Sequence, residues 1–168
     1  MSSIIIYFSR TGENYVSGTI KVLEKGNTEV AAEMIKDITG ADMFKAELIV
    51  PYSDDYNECI EQAREEQRRD ARPQLVKYPE HLEDYETIYL GFPNYWSTMP
   101  MCMFTLLEKC NLSGKVIKPF CTHEGSGLGK SEADIKKVCP ESDVRKGLAI
   151  QGCRVNEAKH QIEEWLKK

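Results

Sequence analysis

Apolar positions along this chain follow two alternating rhythms. Residues 4–8 form a short unbroken apolar run, the pattern of a strand covered on both faces of a parallel sheet. Residues 87–92, 116–121 and 147–151 read as three further strands, although Lys118 and Pro119 fit a strand interior poorly. Phe44, Ala46 and Leu48 alternate with Met43, Lys45 and Glu47, which suits an edge strand. Between these runs the period becomes helical. Val30, Ala31, Met34, Ile35 and Ile38 recur after a capping Asn27 or Thr28 and stop at Gly40. Further helices are predicted over 56–70, from Thr98 and Pro100 to about Cys110, and from the capping-box pair Ser131 and Asp134 to Pro140. A last helix is capped by Asn156 and carries Ala158, Ile162, Trp165 and Leu166 on one stripe.

Five strands alternating with helices predict an α/β fold with a doubly wound five-stranded parallel sheet. Such sheets bind ligands beyond the carboxyl ends of their strands, where the winding reverses. The segments after the first, third and fourth strands are therefore the candidates for chemistry.

A chain of 168 residues is expected to fold as a single domain, residues 1–168, burying roughly 70% of its unfolded surface. The net charge of −5 argues against nucleic-acid and anionic-membrane partners, and no apolar run is long enough to span a bilayer. The amino terminus lacks a basic signal-peptide region, so a cytoplasmic location is expected. Six cysteines without a C-x-x-C pair read as free thiols, with no metal site. Seven acids against three arginines over residues 54–70 read as a solvated face.

"HEGSGLGKS" (residues 123–131) imitates a nucleotide triphosphate loop. The required glycine five residues before Gly129 is Glu124, however, and the dinucleotide fingerprint would need glycine where Lys130 stands. The first loop, "SRTGEN", offers Ser9, Arg10 and Thr11 with Gly12, a cradle for a phosphate or simply a polar turn. The third-strand loop, "GFPNYWSTMP", sets Tyr95 and Trp96 where a flat ring could stack. Gly125 and Gly127 allow main-chain amides to approach a ligand. Together the three loops suit a phosphorylated heteroaromatic ligand. A phosphate-accepting receiver domain is excluded, because Ser9-Arg10 and Pro93-Asn94 stand where its carboxylates belong.

"YFSRTGENY", "GFPNYWSTMP" and "FCTHEGSGLGKS" resemble, in order, segments of the flavodoxin family, in a short-chain subgroup with an insertion splitting the phosphate loop. The resemblance spans nearly the whole chain. It implies a flavodoxin-like sheet of order 2-1-3-4-5 and non-covalent binding of FMN. Family members usually run from S-x-T-G straight into N-T-E-x-x-A, whereas here residues 13–26 intervene. The resemblance then assigns the phosphate to Ser9, Arg10, Thr11, Asn27 and Thr28, with Asn14 as the alternative continuation. Pro93, Asn94, Tyr95 and Trp96 would face the isoalloxazine. Thr122, His123, Glu124, Gly125 and Gly127 would pass its pyrimidine edge.

The loop after the fourth strand lacks the aromatic that many flavodoxins place there. One ring face is thus open, or covered by His123, by Tyr15 or by the loop near Tyr52. The implied function is a low-potential electron carrier serving redox partner proteins. The alternative is an FMN-dependent reductase using a nicotinamide and a quinone or another small acceptor. A binding module that has lost its flavin is a third possibility.

Overall fold

The computed structural model describes residues 2–168. The apolar run near the amino terminus forms β1 (Ser3–Tyr7). The intervening segment is not a loop but a hairpin, β2 (Gly12–Val16) and β3 (Thr19–Leu23), paired only with each other. Its two-residue turn places Ser17 at φ 52° and Gly18 at φ 85°, the left-handed pair of a type I′ turn that matches the twist of the strands. Helix α1 (Asn27–Thr39) follows and ends at Gly40 with φ 73°, the left-handed stop expected of a glycine.

The edge strand β4 (Asp42–Lys45) pairs parallel with β1. Helix α2 (Tyr56–Arg68) is capped by the Asp55 carboxylate, which accepts from the Glu58 amide. Then come β5 (Thr87–Pro93), α3 (Met101–Lys109), β6 (Val116–His123) and α4 (Ser131–Val138). The fifth strand position is held by two short pieces, β7 (Asp143–Val144) and β8 (Leu148–Gln151), and α5 (Lys159–Leu166) closes the chain. The main sheet runs β4-β1-β5-β6 and then β7 and β8, both parallel to β6. This is the order 2-1-3-4-5 with its last strand interrupted.

The interruption has a local cause. The Val116 amide donates to the Glu86 carbonyl and the Arg145 amide to the Ile117 carbonyl. Even-numbered residues of β6 therefore turn their main chain to β5 and odd ones to the fifth strand. Pro119, which has no N–H, faces that fifth strand, and there residues 145–147 oppose only residues 118–119. One extra residue bulges out where a ladder bond cannot form. Lys118 is accommodated differently. Its ammonium donates to the Trp165 and Leu166 carbonyls at 3.3 Å and lies 5.0 Å from the Trp165 ring centre, capping the carboxyl end of α5.

Alternation along β1 divides the core. Ile4, Ile6 and Phe8 join Met103, Leu106 and Ile135 of α3 and α4 on one face. Ile5 and Tyr7 join Ala31, Ile35, Ile162 and Trp165 of α1 and α5 on the other.

Three predicted caps are not formed. Neither Asn27 nor Thr28 caps α1, because both lie inside its first turn behind Gly26, which has no side chain to bond. Ser131 donates back to the Leu128 carbonyl, and Asp134 accepts from the Thr98 hydroxyl instead of closing a box. Asn156 lies within a 3₁₀ turn, Gly152–Glu157, and α5 starts after it. That winding has a reason: Gly152, Val155 and Ala158, three apart, are all buried, and three residues per turn align them on one side. Among the described residues, no helix is long and apolar enough to cross a membrane.

Candidate functional site

A cavity of about 590 Å³ opens at the carboxyl ends of β1, β5 and β6, where the winding reverses between β1 and β5. Arg10, Asn14 and Tyr15 bound it on the hairpin side, and Asn27 and Thr28 bring in the start of α1. Pro93, Asn94, Tyr95, Trp96 and Ser97 form the wall after β5. Thr122, His123, Glu124, Gly125 and Ser126 form the wall after β6, with Gly152 beside them. Most of the residues expected from sequence thus converge. Ser9, Thr11 and Gly127 do not line the cavity.

Each of those three has an identifiable place. Ser9 is buried and its hydroxyl accepts from the Glu29 amide at 3.1 Å, so it satisfies the third amide of α1 from outside the helix. Thr11 is exposed. The Gly127 carbonyl accepts from the Asn94 side chain at 2.7 Å and holds two loops together.

The start of α1 contributes main-chain donors to the cavity wall. Its cap residue Gly26 has no side chain to offer, the Glu29 amide is taken by Ser9, and the Val30 amide bonds the Gly26 carbonyl. The Asn27 and Thr28 amides donate to no protein group among the described residues. Two free amides at the positive end of a helix dipole form an anion cradle. The buried Thr28 hydroxyl bonds the Thr122 hydroxyl at 2.8 Å and ties this turn to the end of β6. Gly26 is required by close approach. A Cβ there would stand 2.1 Å from the Ser9 hydroxyl and 2.6 Å from the Arg10 carbonyl oxygen.

The opposite end is aromatic. Tyr95 packs edge-on against Phe8 and Tyr52, at 6.2 and 6.0 Å between ring centres. Its hydroxyl is buried without a nitrogen or oxygen partner and faces the Cys59 thiol. Burial raises its pKa well above the ordinary phenol value. Trp96 and Ser97 occupy the centre of a tight turn closed by reciprocal bonds between Tyr95 and Thr98, both with positive φ, 52° and 73°. A tryptophan is strained there. Helix α2 holds it: the indole N–H donates to the Ile60 carbonyl at 2.8 Å and Arg64 lies 4.6 Å from the ring centre.

Polar groups expected to touch the ligand through the loop after β6 are partly committed to one another. The Gly125 amide donates to His123 Nδ1 at 2.8 Å. The neutral imidazole therefore carries its proton on Nε2, a donor left for the cavity. Burial lowers the His123 pKa, against the opposing pull of Glu124. Glu124 accepts weakly from the Ser17 amide at the hairpin tip through one oxygen, while its other oxygen is buried and unpartnered. Asn14 donates to the Arg10 and Gly12 carbonyls.

The wall supplied by α2 was missed from sequence. Tyr56, Cys59, Ile60 and Ala63 all line the cavity, and their spacing of i, i+3, i+4, i+7 is a helical stripe. The charges around them hid that signal. Tyr56 also secures the hairpin: its amide donates to the Glu13 carboxylate at 2.7 Å and its ring stacks on Tyr15 at 6.2 Å.

The flavodoxin family profile matches residues 18–168. The chain belongs to the flavodoxin family. The match begins at the hairpin tip, so β1 and the first loop lie outside it. Among solved structures, the chain is similar to a candidate flavoprotein of Bacteroides uniformis, with 23% identity over 99% of this chain and 98% of that one and a TM-score of 0.78. A flavoprotein from Lactobacillus acidophilus, solved in complex with FMN, shares 17% identity over 93% and 97% of the two chains at a TM-score of 0.65. Flavodoxin 2 from Bacillus cereus shares 17% identity over 99% of both at 0.54. At these identities the likeness establishes the flavodoxin-like fold. No curated protein sequence matches.

Proposed function

We propose that this flavodoxin-family protein binds FMN non-covalently in the cavity and carries electrons at low potential between redox partner proteins. The observation that supports this most is the start of α1, where two unclaimed amides open into a cavity whose far end is aromatic. The FMN-bound relative and the family profile agree with it. The Asn27 and Thr28 amides would hold the phosphate, with Ser9 fixing the turn that presents them. The family resemblance also assigned Arg10, Thr11 and Asn14 to the phosphate; Arg10 and Asn14 line the cavity and Thr11 does not, and the Arg10 guanidinium turns to the carbonyls of Glu13, Ser53 and Asp54 instead. Pro93, Asn94, Tyr95 and Trp96 would flank the ring, and Thr122, His123, Glu124, Gly125 and Gly127 would form or support its polar edge. Bound FMN supplies reversible acceptance of electrons. The protein orients it, excludes water with α2 and the hairpin, and offers the His123 Nε2 proton as a hydrogen bond. The six free cysteines suit a reducing compartment, and a cytoplasmic place is part of the proposal.

A second reading has one observation in its favour. Arg10 reaches the cavity with no carboxylate partner, a charge that suits an FMN-dependent NAD(P)H reductase of a quinone or similar acceptor. The purified protein distinguishes these. FMN should quench and bind at least tenfold tighter than riboflavin, and Thr28→Ala should weaken FMN. Equal affinity for the two ligands would remove the phosphate cradle from the account. Steady NAD(P)H oxidation by the FMN-loaded protein alone would select the reductase; dependence on a separate reductase would select the carrier.

A further inference from the structure

The Arg10 main chain and side chain part company. Its carbonyl stands at the start of α1, within 2.6 Å of a Cβ built on Gly26. Its guanidinium turns away. Nε donates to the Glu13 carbonyl at 2.9 Å, and Nη2 donates to the Ser53 and Asp54 carbonyls at 2.9 and 3.2 Å. Those acceptors belong to the hairpin and to the loop ahead of α2. The nearby Glu13 carboxylate is engaged with the Tyr56 amide, and no carboxylate lies within ion-pair distance of Arg10 among the described residues. A cation with only neutral partners thus stands in the cavity wall.

Its neighbours point the same way. Cys59 and Tyr95 line that wall, and the Arg10 charge favours ionisation of both against the stronger effect of burial. The Tyr95 hydroxyl has no oxygen or nitrogen acceptor. Guanidinium, phenol and thiol are all donors, and the Glu66 carboxylate that opposes ionisation of the thiol makes no ion pair with Arg10.

We propose that Arg10 serves the ring end of the cavity, where with Tyr95 it stabilises the negative charge that bound flavin gains on reduction, and that it is not a phosphate ligand. This rests on the FMN reading above. Two-electron reduction adds two electrons and one proton to the neutral ring, leaving it with one negative charge. A fixed cation in the cavity wall, with the buried Tyr95 phenol dipole behind it, favours the reduced form over the oxidised one. The acidic surroundings of the protein act in the opposite sense, and Arg10 offsets them.

The test compares Arg10→Gln and Arg10→Lys with the unaltered protein. Affinities for FMN and for riboflavin are read by fluorescence quenching, and the two-electron potential by equilibration with a reference dye and a chemical reductant. Arg10→Gln should weaken FMN and riboflavin by the same factor. It should also weaken the preference for the reduced form about tenfold, a fall of about 30 mV for a two-electron couple. Arg10→Lys should retain most of the potential. If Arg10→Gln does not fold without its three carbonyl bonds, Tyr95→Phe should lower the potential in the same direction, again equally with respect to the phosphate. Selective loss of FMN over riboflavin with an unchanged potential overturns the proposal, as does an unchanged potential with both affinities intact. Failure of the unaltered protein to bind either ligand overturns the functional reading itself, a distinct result.

Discussion

Gly26→Ala offers a test in which geometry decides even the sign. Gly26 has φ −66° and ψ 153°, extended backbone that alanine adopts freely. On backbone grounds alone the substitution should stabilise by about 0.4–1 kcal/mol, because the unfolded chain loses freedom. The surroundings forbid it. The new methyl would lie 2.1 Å from the Ser9 hydroxyl oxygen, 2.6 Å from the Arg10 carbonyl oxygen and 3.0 Å from the Arg10 carbonyl carbon. The serine oxygen can rotate away, but it then releases the Glu29 amide; the carbonyl belongs to the main chain and can move only by shifting the end of β1. Overpacking of this kind costs about 1–3 kcal/mol, so net destabilisation of about 1–2 kcal/mol is expected, or a Tm about 2–8 °C lower for a domain of this size. Urea denaturation of the ligand-free protein measures it. Ser9→Ala alone should cost about 1 kcal/mol through the lost cap. That cost should shrink by at least about 0.5 kcal/mol when combined with Gly26→Ala, because the hydroxyl is already displaced. A Gly26→Ala protein as stable as the parent, or additive effects of the two changes, would refute the close packing of the first loop on α1.

Three further outcomes follow from buried groups. Tyr95→Phe removes a hydroxyl without an oxygen or nitrogen partner, so thermal stability should hold or rise by up to about 1 kcal/mol; a loss above that size would show a hidden partner. His123 has a lowered native pKa, so the unfolded chain binds more protons just below the ordinary value of 6.5 and stability falls as the pH drops through that window. His123→Asn, which keeps an acceptor for the Gly125 amide, should flatten this acid limb in pH-dependent denaturation. Lys118 is also lowered, first by burial and then by Arg145. Its contribution therefore rises with pH in the alkaline range below the usual lysine value, and Lys118→Met should remove that rise from the difference between the two profiles.

The sheet was legible because its strands are unbroken apolar runs and its helices keep a clean period. Its winding pointed to the sheet end where the cavity opens. The capping predictions failed where a third element intervened: Ser131 and Asp134 had better partners in Leu128 and Thr98. Residues 13–26 showed no strand pattern because the hairpin is largely exposed, with Ile20 and Val22 facing solvent. Only Ser17-Gly18, a turn pair, hinted at it. The α2 wall was obscured because local composition records charge, whereas burial of Cys59 and Ala63 follows from what lies underneath. The direction of the Arg10 side chain depended on carbonyls more than forty residues away, which no local pattern contains.

The hairpin pairs with itself and leans on α2 through Glu13 and Tyr15, leaving the main sheet's ladder untouched. Its tip at Ser17-Gly18 is therefore a place where foreign peptide can be spliced in, or the backbone reopened to create new termini, while the five-strand scaffold stays intact. Such a graft would hang directly beside the cavity, because the tip already touches Glu124 of its wall.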